Sequence, residues 1–431
     1  MKLLRKHVFH LSDIPRDLDS VITIAKKQEV DPRDVGLLQS DVDRIWDSII
    51  RLYKTGVHPA ITACIRHQGK VVLSRAIGHV RGNGPNDGPD SEQVLATPDT
   101  PMCLYSTSKG ITALLMHMLQ EEGLINVSDP VAFYAPEFAR KGKDNITIHQ
   151  ILAHRGGIPG LPKDVAIEVL WDEEQTWDLL CDAEPIVTDG SKLAYHAITG
   201  GFVLERVIRK VTGENINVLI AKKIREPMGM KYFSYGIEDE YLDDLAVSYA
   251  TGPRPGPLMG AFIKRALGTD IVSLEAVCND PQFQQAIIPA GNLAGTAEET
   301  CRFFQMMLNG GKWGRRRICS ERTVARAVQE FGNRTIDRTL FIPMRFSAGL
   351  MLGDDPFGVW GPNSRQAFGH VGLANKFAWA DPQRDMSAAV LTSGIPIIAH
   401  HIPALVNVLR SIGNTIPARE GEPKPFALQL A

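Results

Sequence analysis

Two side chains in the stretch CLYSTSKGITALLMHMLQEEG (residues 103–123) have the types and spacing of a nucleophile and its base. Ser106 and Lys109 stand three apart where a turn-like run becomes an apolar helix, so both leave one face of its first turn. Backbone N–H groups and the dipole at a helix N-terminus stabilise negative charge. They lower the cost of an alkoxide on the serine and disfavour an ammonium on the lysine. A neutral Lys109 is then placed to accept the Ser106 proton. Chance supplies about one or two S-x-x-K strings in a chain of this length, and this chain has one. A serine N-cap followed by a surface lysine is the bland alternative, and the string alone does not separate the two.

Two further stretches supply context. KLAYHAITGG sets Tyr195 just ahead of a helical pattern. A tyrosine relays a proton when a neighbouring ammonium lowers its pKa, although a lone tyrosine is more often a packing aromatic. FGHVGLANKFAWAD sets His370-Val371-Gly372 at the start of a C-terminal hairpin. A small residue there lets a strand edge approach a ligand and offer a backbone N–H. Taken singly, His370 is more often a structural or surface histidine.

The elements that must position these groups are legible in outline. Leu38, Val42, Ile45, Trp46, Ile49 and Tyr53 fall at helical spacing and stop at Gly56. AITACIRHQGKVVLSRAIG reads as two strands around a Gln-Gly turn. Residues 82–101 are rich in Gly, Pro, Asn and Asp and read as loop; the spacing of Gly82, Gly84 and Gly88 does not fit a dinucleotide-binding turn. After Lys109 the apolar positions 111, 114, 115, 118 and 119 predict a helix with one buried stripe, ending at Gly123. Residues 125–285 read as short helices and long loops, with one clear helix over 198–211 before Gly213. KFAWADPQRDMSAAVLTSG reads as strand, Asp-Pro turn, strand. Hairpins at both ends and helices between predict an α+β fold: an antiparallel β-sheet flanked by helices, with an inserted mainly helical domain. The expected division is 1–130 with 286–431 for the sheet domain and 131–285 for the helical one. No internal repeat is present.

Composition excludes several classes. The chain has 431 residues, 47 Lys+Arg against 49 Asp+Glu, and a formal net charge of -2. That balance carries no footprint for nucleic acid or an anionic membrane. The basic N-terminus lacks an apolar run after it, and IPIIAHHIPALVNVL is broken by Pro396, Pro403 and two histidines, so neither an export signal nor a membrane span is expected. The expectation is a cytoplasmic protein. Six scattered cysteines without a C-x-x-C pair read as buried thiols in a reducing compartment. HExxH, Walker A and G-x-S-x-G strings are absent, which removes zincin, P-loop and α/β-hydrolase readings. No metal and no cofactor is expected, and oligomeric state is not legible.

Taken together, the order S-x-x-K, Y-x-x, H-x-G resembles the serine β-lactamase and penicillin-binding-protein superfamily, above all its class C-like members and the family VIII carboxylesterases. The resemblance runs from about residue 38 to 411. It includes GLINVSDPVAFYAPEF, ITIHQILAHRGGIPG, PAGNLAGTAEETCRFFQMMLNGGKW and FAWADPQRDMSAAVLTSG. It implies a sheet flanked by helices, a helical domain beside it and a site between the two. It also implies that Ser106 is the nucleophile, Lys109 its base partner and Tyr195 the second proton-transfer group. The oxyanion hole would be the backbone N–H groups of Ser106 and Leu373, with Tyr105, His196, His370, Val371 and Gly372 bordering the substrate. His154, in Ala-His-Arg-Gly-Gly, has a structural role on this reading, and residues 254–285 would border the entrance.

Two departures bear on substrate. The Tyr-x-Asn of class C enzymes is Tyr195-His196-Ala197 here, and the Lys-Thr-Gly of many β-lactamases is His370-Val371-Gly372. The asparagine that meets a lactam side-chain amide is gone, and so are the lysine and threonine that grip the lactam carboxylate. The expectation is a carboxylesterase acting on small, short-chain esters through an acyl-enzyme. The rivals are an acyltransferase, a weak β-lactamase or a D-amino-acid peptidase of the same fold, and, from another class, a catalytically silent scaffold.

Overall fold

A computed structural model describes residues 9–162, 165–254, 256, 260, 271–332, 334–397 and 399–419. Seven strands form the ordered path of the main sheet: β1 (Ile22–Ile24), β2 (Ala60–His67), β3 (Lys70–Arg81), β4 (Met351–Leu352), β5 (Phe368–Gly372), β6 (Lys376–Asp381) and β7 (Met386–Thr392). Their spatial order is β1-β3-β2-β7-β6-β5-β4, all antiparallel, and Val94–Leu95 adds an eighth short strand on β3. The two hairpins expected from the sequence lie side by side at its centre, with Ala63 of β2 opposite Val390 of β7. Gln68 and Gly69 take φ of 51° and 78°, the pair of left-handed residues that a two-residue turn needs to match strand twist. At the second hairpin the Asp381 carboxylate accepts the N–H groups of Gln383 and Arg384 and closes the turn.

Strand β2 is buried along its whole length, so the strict alternation of a half-exposed strand is replaced by two apolar faces. Ile61, Ala63 and Ile65 pack with helix α1 (Gln39–Tyr53) on one side, and Ala60 and Cys64 join the core on the other. Five helices matter for the site: α1, α2 (Ser108–Glu121), α3 (Thr199–Thr212), α4 (Ala297–Leu308) and α5 (Ile402–Thr415). Helices α1 and α5 pack together over one face, while α4 lies across β2, β6 and β7 on the other. Leu38, placed in the first helix by its spacing, is instead the exposed N-cap of α1; its N–H is taken by the Asp41 carboxylate.

Helix α2 corrects the sequence reading most. A one-sided stripe was expected, but every residue from Ser108 to Leu119 is buried, as befits a central helix rather than a surface one. Its polar residues are satisfied by distant partners: Thr112 by the Pro289 carbonyl and the Tyr235 hydroxyl, His117 by the Ala348 carbonyl. A second, three-stranded sheet was not read at all. Met102–Cys103 pairs with Leu293–Gly295, which pairs with Ser234–Tyr235. It ties the nucleophile region to the insertion and to the C-terminal part. Of the 254–285 stretch expected at the entrance, residues 255, 257–259 and 261–270 lie outside the described residues. All six cysteines are buried thiols, and among the described residues no helix is long and apolar enough to cross a membrane.

Helix α3 holds a titrating group with a clear consequence. Glu205 of α3 is buried; its Oε1 accepts Nε–H of Arg209 at 2.8 Å and the Ile216 N–H at 3.4 Å. Burial pushes its carboxyl up from 4.5 to about 7, with Arg209 opposing and Glu173 adding to the rise. A raised carboxyl contributes stability that is complete below its unfolded value and lost as pH rises through its folded one. Stability is therefore expected to fall between these two values. Glu205→Gln, neutral throughout, should flatten that fall and exceed the native protein by up to ~3 kcal/mol above neutrality. Urea unfolding at acid and alkaline pH reads this difference, and parallel curves for the two proteins would refute it.

Candidate active site

The site begins with an unusual backbone step. Tyr105, Ser106 and Thr107 form a short 3-10 turn that runs into α2, and Tyr105 sits in the left-handed region at φ 47°. A residue with a Cβ adopts that conformation at a cost of roughly 1–2 kcal/mol, so the surroundings must enforce it. The step puts Ser106, the one part-exposed residue of the turn, one helical turn from Lys109.

Lys109 Nζ stands 2.9 Å from Ser106 Oγ, 2.7 Å from the Ala197 carbonyl and 2.9 Å from the Ala290 carbonyl. Among the described residues no carboxylate pairs with it. Burial holds its pKa well below the ordinary 10.5. The depression is in the expected direction, with burial as its cause. In the neutral form two N–H bonds serve the two carbonyls and leave the lone pair for the Ser106 hydroxyl. That is the geometry of a general base. A small cavity with room for about one water lies against Lys109, His154 and His196.

Tyr195 completes the group. Its ring lies under Lys109 Nζ at 4.9 Å from the centroid, and its hydroxyl lies near that of Ser106. Here the sequence reading is corrected. Burial, with Asp337 nearby, pushes the phenol pKa up against the opposing influence of the Ser106 hydroxyl. Tyr195 is thus a protonated phenol able to donate, not a phenolate made by a neighbouring ammonium. Asp337 escaped the sequence reading. Its Oδ1 accepts the N–H groups of Tyr195 at 3.2 Å, Thr339 at 2.7 Å and Leu340 at 2.9 Å. Bonds from the second and third following residues are the signature of an Asx turn, which Thr-Ile-Asp-Arg-Thr allows.

Three histidines surround the pair. His154, with φ 58°, packs its ring 4.5 Å from that of Tyr195 and accepts the His196 N–H at Nδ1. His196 Nε2 accepts the Ile158 N–H, and His370 Nδ1 lies 2.9 Å from the Val371 carbonyl. Burial, with the charge of Lys109 second, pushes His196 and His370 down to about 3. All three are neutral near pH 7. His196 and His370 are fully buried and Tyr105 is 5% exposed, its hydroxyl 2.6 Å from Ser248 Oγ. Of these three side chains, His196 is the one that borders the cavity beside Lys109. Val371 and Leu373 are part-exposed. Gly372 passes so close to the nucleophile turn that a Cβ would meet the Leu104 carbonyl oxygen at 2.3 Å. Thr107 Oγ1 adds bonds to the His370 and Lys376 carbonyls, both 3.3 Å. The end of β5 is thereby fastened beside Ser106. No group of three or more His, Cys, Asp or Glu among the described residues is arranged to hold a metal ion.

A serine held against a buried lysine with a lowered pKa is the arrangement that places the chain. The chain belongs to the Beta-lactamase family, whose match spans residues 46–400. Among its relatives is the esterase/beta-lactamase LipL of Mycobacterium tuberculosis, 27% identical over 307 residues, covering 68% of this chain and 69% of that one. Two solved structures are similar at 25% identity. One is a penicillin-binding protein homologue from Caulobacter crescentus, with a TM-score of 0.75 over 88% of this chain and 99% of that one. The other is a family VIII carboxylesterase, with a TM-score of 0.73 over 87% and 98%.

Proposed function

We propose that this protein is a carboxylesterase that works through an acyl-enzyme on Ser106. The observation that carries the reading is the 2.9 Å approach of Lys109 Nζ to Ser106 Oγ with two carbonyls occupying its other positions. Ser106 Oγ attacks the ester carbonyl carbon as its proton passes to Lys109. The developing oxyanion rests on the backbone N–H groups of Ser106 and Leu373. Collapse expels the alcohol, which takes a proton from the Tyr195 hydroxyl, and the Lys109 ammonium restores it. Water then enters, gives a proton to the same pair, and releases the acid and free Ser106.

The choice of an ester rests on what stands where a lactam carboxylate would be met. His370 is neutral and buried, and Val371 is apolar. Neither offers a cation, so a neutral ester suits the site better than a penicillin or a stem peptide, and the esterases among its relatives point the same way. Small, short-chain esters are the substrate class proposed. Intact-mass measurement after an organophosphonate, with Ser106→Ala as control, tests the nucleophile: one adduct on the native protein and none on the variant is expected. Turnover of a chromogenic cephalosporin at or above that of a short-chain aryl ester would overturn the substrate assignment.

A further inference from the structure

Tyr105 is buried, strained in its backbone and absent from the reaction just described, yet it is the residue directly before the nucleophile. Its side chain is held from two sides. The hydroxyl shares a 2.6 Å hydrogen bond with Ser248 Oγ, and the ring lies under Lys376 Nζ at 4.8 Å from the centroid. Ser248 is itself fixed. Its N–H donates to Asn279 Oδ1 at 2.9 Å, and Asn279 Nδ2 returns a bond of 2.7 Å to the Ser248 carbonyl. Asn279 closes the helix Ile271–Asn279. Lys376 is just as constrained: it opens β6, is 1% exposed, and gives its Nζ proton to the Thr392 carbonyl on β7.

We propose that Tyr105 is a positioning residue, its ring clamped between Ser248 and Lys376 so that its left-handed backbone is enforced and Ser106 Oγ is held against Lys109. The proposal rests on the serine-hydrolase reading and deepens it. It gives the φ of 47° a cause in named contacts. A left-handed step alone is what glycine would supply more cheaply, so a tyrosine here implies that the ring has work beyond permitting the turn. It also couples two parts of the molecule. The Ser248–Asn279 bonds connect the nucleophile turn to the helix that follows residues 255–270, so a shift of that helix is transmitted to Ser106. Lys376 makes the second connection, to the sheet.

The test compares organophosphonate labelling rates and steady-state ester hydrolysis in Tyr105→Phe, Ser248→Ala, their double variant and Tyr105→Gly. Misplacing a reacting atom by a fraction of an ångström is expected to slow labelling and kcat roughly tenfold in each of the first two, with KM unchanged. The double variant should be no slower than the slower single, because both remove one shared bond. Tyr105→Gly, free to adopt the turn but without a ring, should be slowed roughly 10²-fold. Tyr105→Phe keeps the ring and its packing, so it reports on the clamp even if the glycine variant does not fold. Native labelling rates in Tyr105→Phe and Ser248→Ala, or multiplied losses in the double variant, would overturn the clamp. So would a raised KM at unchanged kcat, which would mark Tyr105 as a substrate contact. A native protein that takes no label overturns the serine-hydrolase reading, and the clamp with it.

Discussion

Replacing Lys109 by methionine is expected to lower kcat/KM for a short-chain ester by about 10²–10⁴-fold, the range for loss of a general base. The pH profile should change shape as well as height. In the native protein Lys109 must be neutral to accept the Ser106 proton, and its pKa lies well below 10.5 because it is buried. Activity should therefore rise with pH through that depressed value and level off. Tyr195 is held protonated by a pKa pushed upward, so it adds no falling limb in the ordinary range. Lys109→Met should lose the ascending limb. Lys109→Arg should be as inactive as the methionine variant, because a guanidinium stays charged and cannot take the proton. Stopped-flow or plate-reader hydrolysis across acid to mildly alkaline pH reads all three. A methionine variant that kept the native limb would show that another group is the base.

The second large effect is expected from a single methyl group. Gly372 lies against the Leu104 carbonyl oxygen, and a Cβ there would approach it to 2.3 Å. The oxygen is backbone and a Cβ is fixed by the backbone that carries it, so neither side can give by rotating a side chain. Gly372→Ala must push the end of β5 away from the nucleophile turn. Overpacking of this kind costs typically about 1–3 kcal/mol in stability, which a protein of this size survives. On the proposed mechanism the larger consequence is for the Leu373 N–H, because loss of an oxyanion donor costs about 10²–10³-fold in kcat. The variant should fold, take up substrate with little change in KM, and turn it over about 10²-fold more slowly. Unchanged kcat in a folded variant would remove the β5 end from the catalytic machinery.

What the sequence disclosed was local, and what it concealed was distant. The Gln68-Gly69 turn and the Asp381 turn were legible because each is decided within a few residues. Helix α1 was legible because its buried positions repeat at one turn's spacing. Ser106 and Lys109 could be paired for the same reason, being three apart on one helix start. Helix α2 misled because Ser108, Thr112 and His117 look like a solvent-facing side. Their partners are Leu293 N–H, Pro289 O and Ala348 O, far along the chain, and nothing local announces them. The burial of Tyr105, His196 and His370 was not legible, because it depends on what the rest of the chain lays over them. The carbonyls of Ala197 and Ala290 had no sequence signature at all, since every residue carries one.

Those two carbonyls give the site an order of completion. The acceptors of Lys109 lie 88 and 181 residues further along the chain, and its burial needs the same segments. A polypeptide emerging from the ribosome carries Ser106 and Lys109 long before it carries Ala290. Until then the lysine is solvated, positively charged, and unable to take a proton from its neighbour. The nucleophile is thus latent during synthesis and becomes reactive only when the later half of the chain has docked. On the proposed mechanism, reactivity is acquired late in folding, once the segment carrying Ala290 has docked on Lys109.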